Sequence, residues 1–375
     1  MRMPSEETCF AGTTSGLERV LADEARALGR VAGVQGGVEV TAAPGLHQEM
    51  CLRLRTATRV LLQLARLPPG GWERAAEAVA RVDLRLLAPP GEPVWLESTV
   101  RAAGAPGPGP LRSWLARRWR RPVHEARGVD RLAGTRLVLQ LLPGGGMLGA
   151  DAAGEPLYRR GWRQEVGRAP MRETLAAGML ALAGWRDDEP LWDPMCGSGT
   201  VLIEAALRAR RLVPGLGRAF AFERWAGHDP RAWAARRERA GAEALPAARA
   251  ALRGSDVNAG ALGTARRNAR RAGVLGDLRL ERADVRTLGP GGVPPGLLAA
   301  NLPFGKRLGD RSALGGTFQA VAGALGGQFR AWRAALLTRD PDRLVRTMGR
   351  PASAVHPLDH GGLAVALCLF PPAVS

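Results

Sequence analysis

Downstream of residue 189, short apolar runs alternate with segments whose apolar positions recur every three to four residues. The runs predict strands over residues 191–193, 251–256, 278–283, 296–301, 332–338 and 362–370. The spaced segments predict helices over 200–211, 259–272, 318–326 and 341–348. Strands and helices in alternation build a mostly parallel, doubly wound sheet. Residues 214–250 interrupt the rhythm with PGLGRAFAFERWAGHDP and one more helix, 231–244.

Upstream the pattern is mixed. Residues 8–66 read as a small α+β unit: a strand, a turn and an amphipathic helix ending at Gly29, then strands over 37–41 and 51–54. A helix over 56–67 would be stopped by Pro68 and Pro69. Residues 72–87 predict a helix and 94–102 a strand. GAPGPGP, 104–110, is a loop by composition. LRSWLARRWRR, 111–121, is a basic helix whose Trp114 and Trp119 would anchor it to its own sheet. Strands over 136–142 and 147–151 flank a glycine turn at 144–146. A connector, 158–169, leads to a helix over 170–185 with Pro170 in its first turn. The divisions fall at 1–66, 67–156, 157–188 and 189–375, with no internal repeat.

The bulk composition narrows the classes. The chain has 375 residues, and 46% are hydrophobic, enough for a sizeable core. The 53 basic residues exceed the 35 acidic ones, a net charge of +18 that suits a polyanionic partner. Lys306 is the only lysine. A GC-rich genome would explain arginine in place of lysine, but not the net imbalance. Cys9, Cys51, Cys196 and Cys368 form no C-x-x-C pair, and the five histidines show no metal-ligand spacing. That argues against a metal site or disulfide framework and for a reducing cytoplasm. No apolar run reaches the roughly 18 residues of a membrane span. MRMPSEETCF carries early acids and no apolar h-region, so no signal peptide is expected.

The chemistry centres on residues 191–206, LWDPMCGSGTVLIEAA. This reads as a buried strand, an acidic turn, a glycine loop and a helix start, the way open α/β sheets hold nucleotide-like ligands. It is neither the dinucleotide nor the phosphate-loop glycine pattern. Asp193 would repel a pyrophosphate. The loop therefore favours a ligand with an amino or cationic group and no phosphate, such as S-adenosyl-L-methionine. An ordinary strand-to-helix turn is the bland alternative.

Downstream residues complete the pattern. Asp256 ends the second strand, placed for ribose hydroxyls, or serves as an N-cap to the next helix. Asp284 follows the third strand and could take an adenine amine. The fourth strand ends in NLPFGKRLG. Asn301 offers an amide acceptor, Pro303 leaves the Leu302 carbonyl free to face a ligand, and Phe304 offers a ring for stacking. Two acceptors and an aromatic face hold a planar base by its exocyclic amine. An edge turn with a buried Phe is the alternative.

Taken with YRRGWRQEVGRAPMRETLAAGML, PGLGRAFAFERWAGHD, GSDVNAGALGTARRNARRAGV and GGQFRAWRAALLT, these motifs resemble class I S-adenosylmethionine-dependent methyltransferases of base amines. The resemblance is closest to the bacterial 23S rRNA guanine-N2 methyltransferase family. It implies a Rossmann-like seven-stranded methyltransferase domain over 189–375, and a connector with a cofactor-capping helix over 157–188. It also implies a ferredoxin-like α+β domain over 1–66 and a THUMP-like RNA-binding module over 67–156.

The cofactor would be S-adenosyl-L-methionine. Asp193, Pro194, Met195, Cys196, Gly197, Ser198 and Gly199 would line its methionine moiety, with Thr174 capping, Asp256 on the ribose and Asp284 on the adenine. A flipped guanine would meet Asn301, Leu302, Pro303 and Phe304. The family tetrapeptide is Asn-Pro-Pro-Tyr-like, so Leu302 and Phe304 depart from it. Leu302 is tolerable if its backbone carbonyl does the work, and Phe304 keeps stacking but loses a hydroxyl. Some relatives carry a second, fused methyltransferase domain; with the chain ending at Ser375, none is expected here.

Arg112, Arg117, Arg118, Arg120 and Arg121 form one candidate phosphate-contacting cluster, and Arg159, Arg160, Arg163 and Arg168 a second. The first is equally readable as a solvated face; the second lies beside the domain boundary. The partner would be RNA, ribosomal or transfer, for a cytoplasmic monomer without metal or membrane contact. Alternatives are a tRNA guanine-N2 methyltransferase, a DNA adenine-N6 methyltransferase and an RNA-binding protein without catalysis.

Overall fold

Strand β9 (Leu191–Asp193) is only three residues long and buried throughout, and a seven-stranded sheet is laid out around it. In this computed structural model the described residues are 5–126, 134–165, 171–303 and 310–373, with the backbone alone at 310–314. They divide into two compact units. The first comprises Met1–Thr13, Leu21–Leu157 and Arg218–Arg239; the second comprises Thr14–Val20, Tyr158–Gly217 and Ala240–Ser375.

The first unit holds strands β1 (Glu7–Thr13), β2 (Arg30–Val34), β3 (Gly37–Ala42), β4 (Ala57–Leu67), β5 (Val94–Val100), β6 (Val123–Glu125), β7 (Thr135–Leu142) and β8 (Gly145–Asp151). They form one sheet in the order β2-β3-β1-β4-β8-β7-β5-β6. Helices α2 (Leu46–Arg53), α3 (Trp72–Ala80) and α4 (Pro108–Trp119) connect them. Helix α1 (Glu18–Ala25) follows β1.

Two expectations fail here as a pair. Residues 51–53, expected as strand, end α2, and residues 57–67, expected as helix, form β4. Ala, Leu, Gln and Arg fill β4 and favour a helix in isolation. But β4 pairs antiparallel with β1 on one side and β8 on the other. A ladder on both edges overrides propensity. Pro68 and Pro69 end a strand as readily as a helix, because neither has an N–H to donate.

Helix α4 starts at Pro108, inside the expected loop, and buries Leu111 and Leu115 one turn apart. Trp114 meets Trp72 edge-on, with ring centroids 5.4 Å apart.

The second unit holds β9, β10 (Leu252–Asp256), β11 (Leu278–Arg282), β12 (Leu297–Asn301), β13 (Arg333–Thr338), β14 (Ala354–Asp359) and β15 (Ala364–Phe370), in the order β11-β10-β9-β12-β13-β15-β14. Strands β11 to β13 run parallel, and β15 is antiparallel to both its neighbours. Helices α5 (Glu173–Leu182), α6 (Thr200–Ala209), α8 (Ala259–Arg271), α9 (Asp310–Gly326) and α10 (Pro341–Met348) belong to this unit, and α7 (Pro230–Ala242) lies in the interrupting segment.

The parallel strands read as continuous apolar runs because both faces are covered. Leu191, Leu297 and Ala299 enter one core with Leu175 and Ile203; Trp192, Leu298 and Ala300 enter another with Phe318 and Phe329. Strand β14 was not predicted. It carries Pro357 and, among the described residues, pairs only with β15, as an edge strand can.

The chain leaves β9 toward β10 on one side, while β12 leads to β13 on the other. This is the topological switch point, where a crevice opens beyond the carboxyl ends of the strands.

Candidate active site

The loop after β9 needs glycine at two places. Gly197 has φ 53° and Gly199 φ 84°, the left-handed region that side chains rarely enter. A Cβ at Gly199 would also lie 3.1 Å from the Ala265 Cβ on α8. Backbone bonds fix the loop to β10: Cys196 N–H donates to the Ser255 carbonyl at 2.9 Å and Gly197 N–H to Asp256 Oδ2 at 2.9 Å. The Asn268 side chain of α8 donates to the Ser198 carbonyl at 3.3 Å.

Asp193 is 2% exposed. Its Oδ1 accepts the Met195 N–H at 3.1 Å, and no described residue offers it a cation. Burial lifts its carboxyl to about 8, with the Asp256 charge adding to the shift and the Met195 N–H opposing it. A buried carboxyl without a positive partner is a site waiting for one. Burial also raises the Cys196 thiol well above its usual range, so it is an unreactive wall.

Asp256 does not cap α8; Asn258 does, its Oδ1 accepting from Gly260 N–H at 2.9 Å and Ala261 N–H at 3.2 Å. Asp256 Oδ1 instead accepts the Asn258 N–H at 2.8 Å. Each Asp256 oxygen thus holds one backbone amide and keeps acceptor capacity.

Asp284 is paired locally. Arg286 donates to both its oxygens, at 3.0 and 2.5 Å. These bonds hold the carboxyl down at about 2.

At the end of β12, the Leu302 N–H donates to the Leu337 carbonyl at 3.0 Å and the Leu302 side chain is buried. Leu302 borders the site while its side chain belongs to the core. The Asn301 Oδ1 is buried and accepts no hydrogen bond from any described residue. Such an orphan acceptor is expensive unless a ligand supplies the donor. Phe304, expected to stack, lies outside the described residues, as do Arg168 and Pro170.

A cavity of about 700 Å³ joins these parts, a volume suited to a small ligand. Residues 193–198 and 301–303 border it, together with Asp256 and Asp284. Gly199 sits behind it as the N-cap of α6. Thr174 is not among the bordering residues; it is fully buried, with a hydroxyl that meets no partner among the described residues. The sequence reading missed Met171, Thr200, Val257 and Arg286 at the wall. Thr200 directly follows the second glycine and Arg286 lies two residues beyond Asp284, so both were within reach of the motifs. Val257 is 58% exposed and carries no such signal.

The arginine expectations need correction at three positions. Arg121 is buried and donates to the Ala88 and Glu92 carbonyls at 3.4 Å. Arg160 is buried against Glu204. Arg163 is bonded to Glu173 at 2.8 Å, and its side chain is only 9% exposed. Interior ion pairs and carbonyls take these guanidinium groups, so they are not a phosphate-facing surface. Arg117, Arg118, Arg120 and Arg159 are exposed, and Arg112 is half-buried 3.8 Å from Glu125.

Among the described residues no group of three His, Cys, Asp or Glu is placed to hold a metal ion, and no helix is long and apolar enough to cross a membrane.

The switch-point loop, the acid that ends β10 and the antiparallel β15 define the class: a Rossmann-like methyltransferase fold with an N-terminal α+β region. Residues 160–364 match the family model described as UPF0020, RMKL-like methyltransferase domain, and the chain belongs to that family. Residues 8–61 match the RlmL ferredoxin-like domain.

Among curated proteins, the chain is 37% identical to the "Ribosomal RNA large subunit methyltransferase K/L" of Chromohalobacter salexigens, over 97% of this chain and 52% of that protein. It therefore spans about half the length of the curated relatives it matches. Among solved structures, a putative methyltransferase named SMU.472, complexed with SAH, superposes with a TM-score of 0.85 at 26% identity, covering all of both chains. A predicted N6-adenine-specific DNA methylase from Listeria monocytogenes superposes at 0.83 with 25% identity, over 97% of this chain and 96% of that one.

Proposed function

We propose that the chain binds S-adenosyl-L-methionine in the switch-point cavity and methylates the exocyclic N2 amine of a guanine in large-subunit ribosomal RNA. The observation that carries this reading is the pairing of two unmet buried groups at one cavity. Asp193 lacks a cation, and Asn301 Oδ1 lacks a donor. An amino-acid ammonium group meets the first, and a base amine meets the second.

The residues present fit that cofactor. Asp193 can take a cation without a competing partner among the described residues, Asp256 keeps acceptor capacity for ribose hydroxyls, and Asp284 can accept from an adenine amine once it shares or sheds Arg286. The bound cofactor supplies an electrophilic methyl group on sulfur.

Asn301 and the Leu302 carbonyl accept the two amine hydrogens of the base, orient its nitrogen and draw lone-pair density outward. Aryl amines are poor nucleophiles, so positioning and electrostatic polarisation carry the step. The target base reaches the cavity out of its stack. The proton lost from the amine passes to solvent.

The printed name of the Chromohalobacter relative favours ribosomal RNA as substrate, and the basic balance of the chain suits RNA of any kind. Residues 67–156 form the THUMP-like docking module in this reading, with Arg112, Arg117, Arg118 and Arg120 on phosphates. The enzyme works as a cytoplasmic monomer. Incubation with labelled cofactor and ribosomal RNA, transfer RNA or DNA, followed by nucleoside analysis, tests it. Label in N2-methylguanosine of ribosomal RNA is expected; label on transfer RNA or adenine N6 selects a rival.

A further inference from the structure

A second set of unmet groups belongs to the same cavity that Asp193 borders. Helix α6 has no side-chain cap. Its first backbone bond runs from Ile203 N–H to the Gly199 carbonyl at 2.9 Å, so the Thr200 and Val201 amides precede the helical ladder. Thr200 and Val201 both border the cavity. An uncapped helix start favours an anion.

A separate observation points the same way. Behind the wall, Arg163 is nine-tenths buried. Its Nε donates to Glu173 Oε1 at 2.8 Å, and its Nη2 donates to the Met171 carbonyl and to Thr200 Oγ1, both at 2.7 Å. Among the described residues its buried Nη1 meets no acceptor, and the buried Thr174 hydroxyl meets no partner. Because Arg163 donates to Thr200 Oγ1, the Thr200 hydroxyl hydrogen must point elsewhere, and no described residue takes it. A guanidinium on its lone pair makes that hydroxyl a stronger donor.

We propose that Arg163 is a positioning residue that sets the Thr200 hydroxyl as a fixed donor, and that this hydroxyl and the α6 N-terminus bind the carboxylate of an α-amino-acid moiety. The inference rests on the cofactor reading above. It makes the cavity a two-ended clamp, with Asp193 for the ammonium group and Thr200, backed by Arg163, for the carboxylate. Arg163 thereby leaves the RNA surface and joins the small-molecule site.

Calorimetry on the full chain separates this role from a structural one. The probes are S-adenosylhomocysteine, decarboxylated S-adenosylmethionine and methylthioadenosine, which lacks the amino-acid moiety. Arg163→Met and Thr200→Val are each expected to weaken S-adenosylhomocysteine by about 10- to 100-fold, as loss of a charge-assisted bond would. Methylthioadenosine affinity should hold within about twofold in both variants, and decarboxylated S-adenosylmethionine should be insensitive to Thr200→Val. Arg163→Lys should recover part of the loss. Equal losses for all three ligands, or no loss for S-adenosylhomocysteine, would overturn the inference alone. A wild-type chain that binds no S-adenosylhomocysteine would overturn the cofactor reading and this inference with it.

Discussion

Gly197 donates its N–H to Asp256 Oδ2 at 2.9 Å, which joins the loop after β9 to the end of β10. One carboxylate thus holds the glycine loop in shape and offers its spare lone pairs to the cavity. Asp256→Ala should weaken S-adenosylhomocysteine binding by more than about tenfold, since loop and ribose contact go together. Asp256→Asn should lose less, because its amide oxygen can still accept one N–H. Equal affinity in Asp256→Ala and wild type, by calorimetry, would separate Asp256 from the site.

Asp193 carries a pH dependence of definite sign. Its folded carboxyl titrates at about 8 against an ordinary 3.8. The stability of the neutral, protonated form is fully present below about pH 4. It is lost as pH rises toward 8, at up to about 1.4 kcal/mol per pH unit. The urea midpoint of Asp193→Asn relative to wild type should therefore climb between pH 5 and pH 8 without ligand. A difference that stays flat across that range contradicts an unpaired buried carboxyl.

Arg286 competes for Asp284. With both oxygens engaged, an adenine amine must share the carboxylate. Asp284→Ala should weaken both S-adenosylhomocysteine and methylthioadenosine, which carry the same adenine. Arg286→Ala should leave affinity unchanged or raise it by no more than about fivefold, as expected of an exposed pair. A large loss in Arg286→Ala would mean that the arginine itself holds the ligand.

The exposed and buried arginines of α4 and its end should behave oppositely. Arg117, Arg118 and Arg120 changed to Gln should weaken RNA binding and shallow its salt dependence, by up to about 0.9 in log–log slope per duplex phosphate contact. Arg121→Gln should lower thermal stability with no change in that slope, because its partners are the Ala88 and Glu92 carbonyls. Filter binding across a salt series and a melting curve distinguish the two.

Much of this was legible in the sequence where local chemistry and burial agree. The glycine loop had to turn with positive φ, and the parallel strands had to be apolar on both faces. Strand β4 was illegible because its helix-favouring residues are overruled by neighbours from β1 and β8, far away in the chain. Strand β14 was hidden by Pro357, which only an edge tolerates. Charge was the least readable signal. Arg163 and Arg120 look alike in sequence, yet one is locked to Glu173 and Thr200 and the other faces water. Thr200, one residue past the second glycine, was within reach of the motif; its contact with the buried Arg163 was not.

The most direct test is single-turnover methyl transfer from labelled S-adenosylmethionine to undermethylated large-subunit RNA, comparing wild type with Asn301→Ala. The account expects wild type to label guanine N2, and Asn301→Ala to be slower by about 100-fold or more with cofactor affinity unchanged. Full-rate transfer by Asn301→Ala, or wild-type label on any atom other than guanine N2, would contradict it.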